Sequence, residues 1–201
     1  MINETLALDI DAVLADLQTE WLYRYNLDYK DNLKAEQILS WGMDEYVKPE
    51  CGKRIYDYLL DDNLYTNVNP IPGALQAVNK MRDVFSRVIF CTMSPFPKMG
   101  QKFQWLMDNG FFEYYSAIPE LDYIETRDKS LIRADYLIDD NWDNLAVFRG
   151  RGILYTQPWN KDNKYPFRIN SWNEFADNGY SVNYIRELLK MPEYLAFHKG
   201  I

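Results

Sequence analysis

Apolar positions recur along this chain with two periods. Short, mostly apolar runs stand at residues 5–8, 87–92, 134–138 and 152–155. Each is too short for a helix and ends in polar or turn residues, which is the pattern of buried strands. Between them apolar residues return every three or four positions. Leu14, Leu17, Trp21 and Tyr25 do so in 13–25, and Leu75, Val78 and Met81 in 74–85. The same spacing marks 97–109, closed by Gly110, and 142–148. Residues 114–118 read as a weaker strand, 127–132 as a turn and 158–170 as a polar, aromatic loop, with helical spacing at 172–178 and 182–189. The alternation from 70 to 155 predicts an α/β fold, a Rossmann-like three-layer parallel sheet. Residues 34–66 precede it, with helical spacing at 35–39 and 49–60 and no strand. We read 17–69 as a small helical cap inserted after the first strand, leaving 1–16 and 70–201 as the core domain.

The predicted strands end in chemistry at one edge. Asp9 and Asp11 follow the first apolar run on a strand-to-helix turn, at the carboxyl end of the strand, where open α/β sheets bind ligands. Strand alternation points both the same way, and two close carboxylates repel unless a cation lies between them. A divalent metal is the simplest remedy; the plainer reading is a turn with one acid capping the next helix. The second strand ends at Thr92, and the third at Asp139 and Asp140, one of which is expected to cap the helix at 142–148. Lys129 precedes that strand, with Arg127 as a rival cation; either can also be a charge on a solvated turn.

Composition narrows the chemistry. The 201 residues are 47% hydrophobic and 16% aromatic, enough for one sizeable core. A net charge of −8 without a basic run argues against long nucleic acid as a partner, while a small phosphate ester stays open because one metal and one lysine can reverse the local field. Cys51 and Cys91 lack metal-ligand spacing and suggest a reducing compartment. The amino-terminal residues are acidic and no apolar run approaches the roughly 18 residues of a membrane span, so a cytoplasmic protein without membrane contact is expected. The single histidine, His198, leaves nothing for a Ser/His/Asp triad or histidine-ligated zinc.

Taken in order, Asp9-Ile10-Asp11-Ala12-Val13, Val88-Ile89-Phe90-Cys91-Thr92, Lys129 and Leu137-Ile138-Asp139-Asp140 resemble the four motifs of the haloacid dehalogenase-like phosphohydrolase superfamily. Val13-Leu14-Ala15-Asp16, the turn at 70–73 and Cys91-Thr92-Met93-Ser94-Pro95 narrow the resemblance to the 5′(3′)-deoxyribonucleotidase family. Three positions depart from the family pattern. Ala12 stands where relatives carry glycine, which costs little at negative φ; Leu17 replaces a frequent aromatic; and Met93 separates Thr92 from Ser94.

The resemblance implies Asp9 as nucleophile and Asp11 as general acid and base. It gives Thr92 and Lys129, with Ser94, to the phosphoryl group, and Asp9, Asp139, Asp140 and the Asp11 backbone carbonyl to Mg²⁺, which suits an all-oxygen site. The implied substrate is a small phosphomonoester, a deoxyribonucleoside monophosphate; other metabolite phosphates or nucleic-acid 3′ ends are the alternatives, and a homodimer is allowed. A receiver domain, in which the lysine follows the acidic pair, and a non-catalytic scaffold are the rival classes. Trp41, beside Gly42 in a break of the helical pattern, is the candidate platform for a base, whereas Trp21, Tyr46 and Tyr58 are expected in the cap interior.

Overall fold

A computed structural model of the chain describes residues 2–112 and 122–173. Among the described residues six strands form one sheet: β1 (Ile2–Leu8), β2 (Phe85–Thr92), β3 (Tyr123–Glu125), β4 (Tyr136–Asp139), β5 (Arg151–Tyr155) and β6 (Arg168–Ile169). Their order is β3-β2-β1-β4-β5-β6 and every pairing is parallel. The helices are α1 (Leu17–Tyr29), α2 (Ala74–Arg82), α3 (Gln101–Asp108) and α4 (Trp142–Val147). The central strands are buried on both faces, as parallel sheets are: Leu6, Ala7, Leu8, Phe90, Leu137 and Ile138 are wholly enclosed. In α2, Ala74, Ala77, Val78 and Met81 form the stripe that covers the sheet. Strand order reverses beside β1, so the crevice at the carboxyl ends of β1 and β4 is where a ligand is expected.

Two strands went unpredicted, β3 and β6, because runs of two or three residues carry no measurable period. The weak strand expected at 114–118 and the helix at 182–189 lie outside the described residues, as does most of 172–178.

Helix α1 starts four residues later than its apolar spacing suggests. The amides of Val13, Leu14 and Ala15 all turn back to the Ile10 carbonyl, and Asp16 then caps the helix at the Thr19 amide. Ala12 is the reason: its φ of 57° lies in the left-handed region and breaks the helical phase. The negative φ that would make alanine cheap there is not adopted. Helix α3 likewise begins at Gln101 and not at 97, entered through Gly100 at φ 95°. The expected helices at 35–39 and 49–60 are tighter 3₁₀ turns, Ala35–Gln37 and Gly52–Leu60. Asn141, and neither acid before it, caps α4 by accepting from the Asp143 amide.

From α1 to the turns before α2 a second apolar cluster gathers Trp21, Tyr25, Ile38, Met43 and Ile55, apart from the main core. Leu17, Leu64 and Val68 belong to the main core, so the two ends of this segment are anchored in it. Further ties run from α3 and the loop before it: Lys98 pairs with Asp62, and the Trp105 indole donates to the Val68 carbonyl at 2.8 Å.

Candidate active site

The register of the sheet brings the acids together. Leu8 pairs with Ile138, and the Asp9 amide continues the ladder by donating to the Ile138 carbonyl at 2.9 Å. Asp9 and Asp139 therefore leave adjacent strands side by side. Each of Asp9, Asp139 and Asp140 places a carboxylate oxygen within 4.8 Å of the other two. All three are buried, Asp139 completely. Both Asp139 oxygens accept from the Asn144 amide, and one also takes the Asn141 backbone N–H. The Trp159 indole donates to Asp140 at 2.9 Å.

Lys129 closes this cluster. Its Nζ lies 2.6 Å from Asp9 Oδ1, 2.6 Å from the Cys91 carbonyl and 3.7 Å from Asp139 Oδ2, at 2% exposure. Burial alone would depress the ammonium, yet Asp9 and its neighbours hold its pKa above the ordinary value. Arg127, the rival cation, is exposed at the cavity rim. One lysine does not balance three acids. Burial first, then mutual repulsion, pushes Asp139 up to about 7 and Asp140 well above the carboxylate range, and burial raises Asp9 as well. An oxygen-only, acid-rich donor set in a buried site fits a hard divalent cation.

A second group stands beside it. Thr92 Oγ1 accepts from Lys102 Nζ at 2.9 Å, which leaves the threonine proton free to donate into the cavity. Lys102 also pairs with Asp11 at 2.5 Å and donates to the Met93 carbonyl. The Tyr65 hydroxyl donates to the other Asp11 oxygen. Burial, then the Asp11 charge, raises the Tyr65 pKa far enough to keep the phenol protonated. Lys102 and Tyr65 were not singled out in the sequence. Lys102 had a signal: it takes a place on the apolar stripe of α3 with Trp105 and Leu106, where a lone lysine needs an acidic partner. Tyr65 had none, because its partner is 54 residues away.

Above both groups lies a cavity of about 570 Å³, within the usual range for small-ligand sites. Asp9, Asp11, Thr92, Ser94 and Lys129 line its floor, and Trp41, Trp21, Tyr56, Met43 and Trp159 line its walls. Ser94 donates to Glu125 at 3.2 Å, so its proton is already engaged. Trp41 is 57% exposed with its ring 5.7 Å from that of Trp159, while Trp21 is 8% exposed and donates to the Ile55 carbonyl. A second cavity, of about 690 Å³, lies around Arg82, Phe85, Arg87 and Asp122 and holds none of the strand-end groups just described; size there does not mark chemistry.

The raised acids set a pH dependence. A carboxylate whose pKa rises to about 7 on folding binds more protons in the folded state than in the unfolded one between about pH 4 and 7, so its contribution to stability falls as pH rises through that window. A cation binding the ionised acids acts in the opposite sense. Melting curves with chelator and with saturating divalent cation should therefore differ by about 5–10 °C near pH 7.5 and by much less near pH 5. An equal gain at both pH values would contradict the cluster as the cation site.

Fold and floor together define a phosphohydrolase of the haloacid dehalogenase-like kind, and solved structures agree on the fold. A haloacid dehalogenase-like hydrolase from Streptococcus pneumoniae superposes with a TM-score of 0.57 at 9% identity, over 87% of this chain and 97% of that one. One from Deinococcus radiodurans, solved with phosphate and sodium, gives 0.54 at 13% identity, over 86% and 93%. The family model described as 5′ nucleotidase, deoxy (pyrimidine), cytosolic type C protein matches residues 3–180, and the chain belongs to that family. It is 34% identical to a 5′(3′)-deoxyribonucleotidase of Clostridium acetobutylicum over 87% of this chain and 93% of the relative. It is 29% identical to one of Bacillus subtilis over 86% and 96%. The chain is thus a phosphoric monoester hydrolase of the nucleotide phosphatase kind.

Proposed function

We propose that the protein hydrolyses deoxyribonucleoside monophosphates with Mg²⁺ at its acid cluster, through an aspartyl-phosphate on Asp9, and that residues 17–69 are the cap that reads the nucleoside. The observation that carries this is the Lys129–Asp9 ion pair inside a cluster of three buried acids, at the floor of an aromatic-walled cavity. Asp9, Asp139 and Asp140, with the Asp11 backbone carbonyl, would hold the ion. When bound, Mg²⁺ supplies positive charge against the phosphate oxygens and restores the acids to their ionised form.

The residues divide the chemistry. Lys129 fixes one Asp9 oxygen, leaving the other to attack phosphorus. Thr92 donates to a phosphate oxygen, and the Lys102 ammonium beside it adds charge where the transition state needs it. Asp11, an acceptor for Lys102 and Tyr65 in this structure, would enter the cycle in its protonated form, deliver that proton to the leaving alkoxide and regain one from the hydrolytic water, which restores it for the next turnover. The ester P–O bond breaks as the Asp9 Oδ–phosphorus bond forms, and attack of water at phosphorus then breaks that bond, releasing inorganic phosphate and the free Asp9 carboxylate.

Initial rates across a panel of deoxyribonucleoside, ribonucleoside and sugar monophosphates, with Mg²⁺ and with chelator, test the reading. Preference for a deoxyribonucleotide and silence with chelator are expected, and a sugar phosphate at the head of the panel would contradict the substrate class.

Trp41 is the residue to test for the base. Its exposed ring at the cavity wall can stack a base, worth roughly 1–3 kcal/mol. Trp41→Ala should raise KM for nucleotides about tenfold to a hundredfold and leave p-nitrophenyl phosphate hydrolysis nearly unchanged. Equal losses on both substrates would make Trp41 a structural residue.

A further inference from the structure

We propose that the loop between β5 and β6 is a positioning element for the acidic turns, with Trp159 holding Asp140 and Gln157 holding the turn at Asp11. The inference rests on the metal-site reading above.

Sequence alone marks this stretch only as a polar, aromatic loop. In the structure it meets two acidic turns at once. From one side, Trp159 Nε1 donates to Asp140 Oδ2 at 2.9 Å, and Asn160 Nδ2 donates to the Asp140 carbonyl at 2.7 Å. From the other, Gln157 Nε2 donates to the Ala12 carbonyl at 2.5 Å. Asn160 itself is buried and saturated: its amide also donates to the Tyr155 carbonyl, and its oxygen accepts from the Gln157 amide and from Arg168. That network stiffens the loop without accounting for where Gln157 and Trp159 point.

Both of those side chains are only partly buried, so water could satisfy their N–H groups at little cost. Instead each is aimed at an acidic turn. Asp140 is 2% exposed, so few partners other than the Trp159 indole can reach its carboxylate, and that indole fixes its rotamer. Ala12 is held at positive φ, which costs a residue bearing a Cβ about 1–2 kcal/mol, and Gln157 grips the carbonyl that this conformation presents. The loop adds no ligand of its own. It ties the turn after β1 to the turn after β4, and partners outside the ligand set that orient it are typically worth tenfold to a hundredfold in metal affinity. The Trp159 ring also rests beside Trp41, joining this support to the cavity wall.

The test is Mg²⁺ binding to the substrate-free enzyme by calorimetry, on the parent, Trp159→Phe, Gln157→Met and Asp140→Asn. Trp159→Phe keeps the ring and loses the donor; about tenfold weaker binding is expected. Saturating Mg²⁺ should then restore most of kcat, as befits a residue that positions a ligand and takes no part in the chemistry. Gln157→Met removes the donor on the opposite side and should weaken binding several-fold. Unchanged affinity in whichever of these two variants folds, beside an Asp140→Asn that loses Mg²⁺, overturns the inference and leaves the metal reading standing. An Asp140→Asn that binds Mg²⁺ as the parent does overturns both.

Discussion

Asp9→Asn should abolish turnover and leave the fold intact. An amide is a poor nucleophile and a weak ligand for a hard cation, so the change strikes both halves of the proposed chemistry at one atom. Loss of a nucleophile typically costs several orders of magnitude, and a fall of at least about a thousandfold in kcat is expected in steady-state assays. The backbone role of Asp9 is untouched, since its amide still completes the ladder to Ile138. With one fewer negative charge in the cluster, the metal-free variant should melt no lower than the parent. More than about a hundredth of parental activity would remove Asp9 from the reaction.

Lys129→Met is expected to have the next largest effect, on activity and stability together. The ammonium touches Asp9, lies near Asp139 and is almost wholly buried, so its removal strands buried acids without a counter-charge. Breaking a buried pair from one side costs about 3–5 kcal/mol, and a chain of this size then loses roughly 10 °C in Tm. That loss should be greatest in chelator and smaller with Mg²⁺, which replaces part of the missing charge. The kcat/KM should fall by a hundredfold or more, the order expected for removing one charge-stabilising donor. Arg127→Ala, at an exposed position, should stay within about twofold of the parent. Thermal melts and kinetics on the two variants decide between the cations, and comparable damage from both would mean that the phosphate is held elsewhere.

The sheet and the floor of the site were legible because each rests on a local rule. A strand buried on both faces must be apolar throughout, and the polar residue that ends it stands at the carboxyl edge, so Asp9, Thr92 and Asp139 could be placed from the runs before them. Lys129 was placed ahead of Arg127 by its motif position, while its burial came only with the structure. What the sequence concealed depends on contacts across distance. The Tyr65 partnership with Asp11, the Trp105 tie to Val68 and the grip of Gln157 on Ala12 join residues between 37 and 145 positions apart. No period or cap announces such pairs. Ala12 shows the limit from the other side: alanine carries no sign of positive φ, so the late start of α1 followed from a backbone angle that composition does not record.

The central claim, covalent transfer to Asp9, is tested most directly by trapping the acyl phosphate. Asp11→Asn removes the base that activates water, while p-nitrophenyl phosphate needs no proton to release its leaving group, so the intermediate should accumulate. Acid quench, borohydride reduction and peptide mass spectrometry would then read the phosphorylated residue as homoserine. The account predicts homoserine at position 9, together with a burst of p-nitrophenol stoichiometric with enzyme. Unmodified Asp9 in an Asp11→Asn enzyme that still releases p-nitrophenol beyond one equivalent would contradict it.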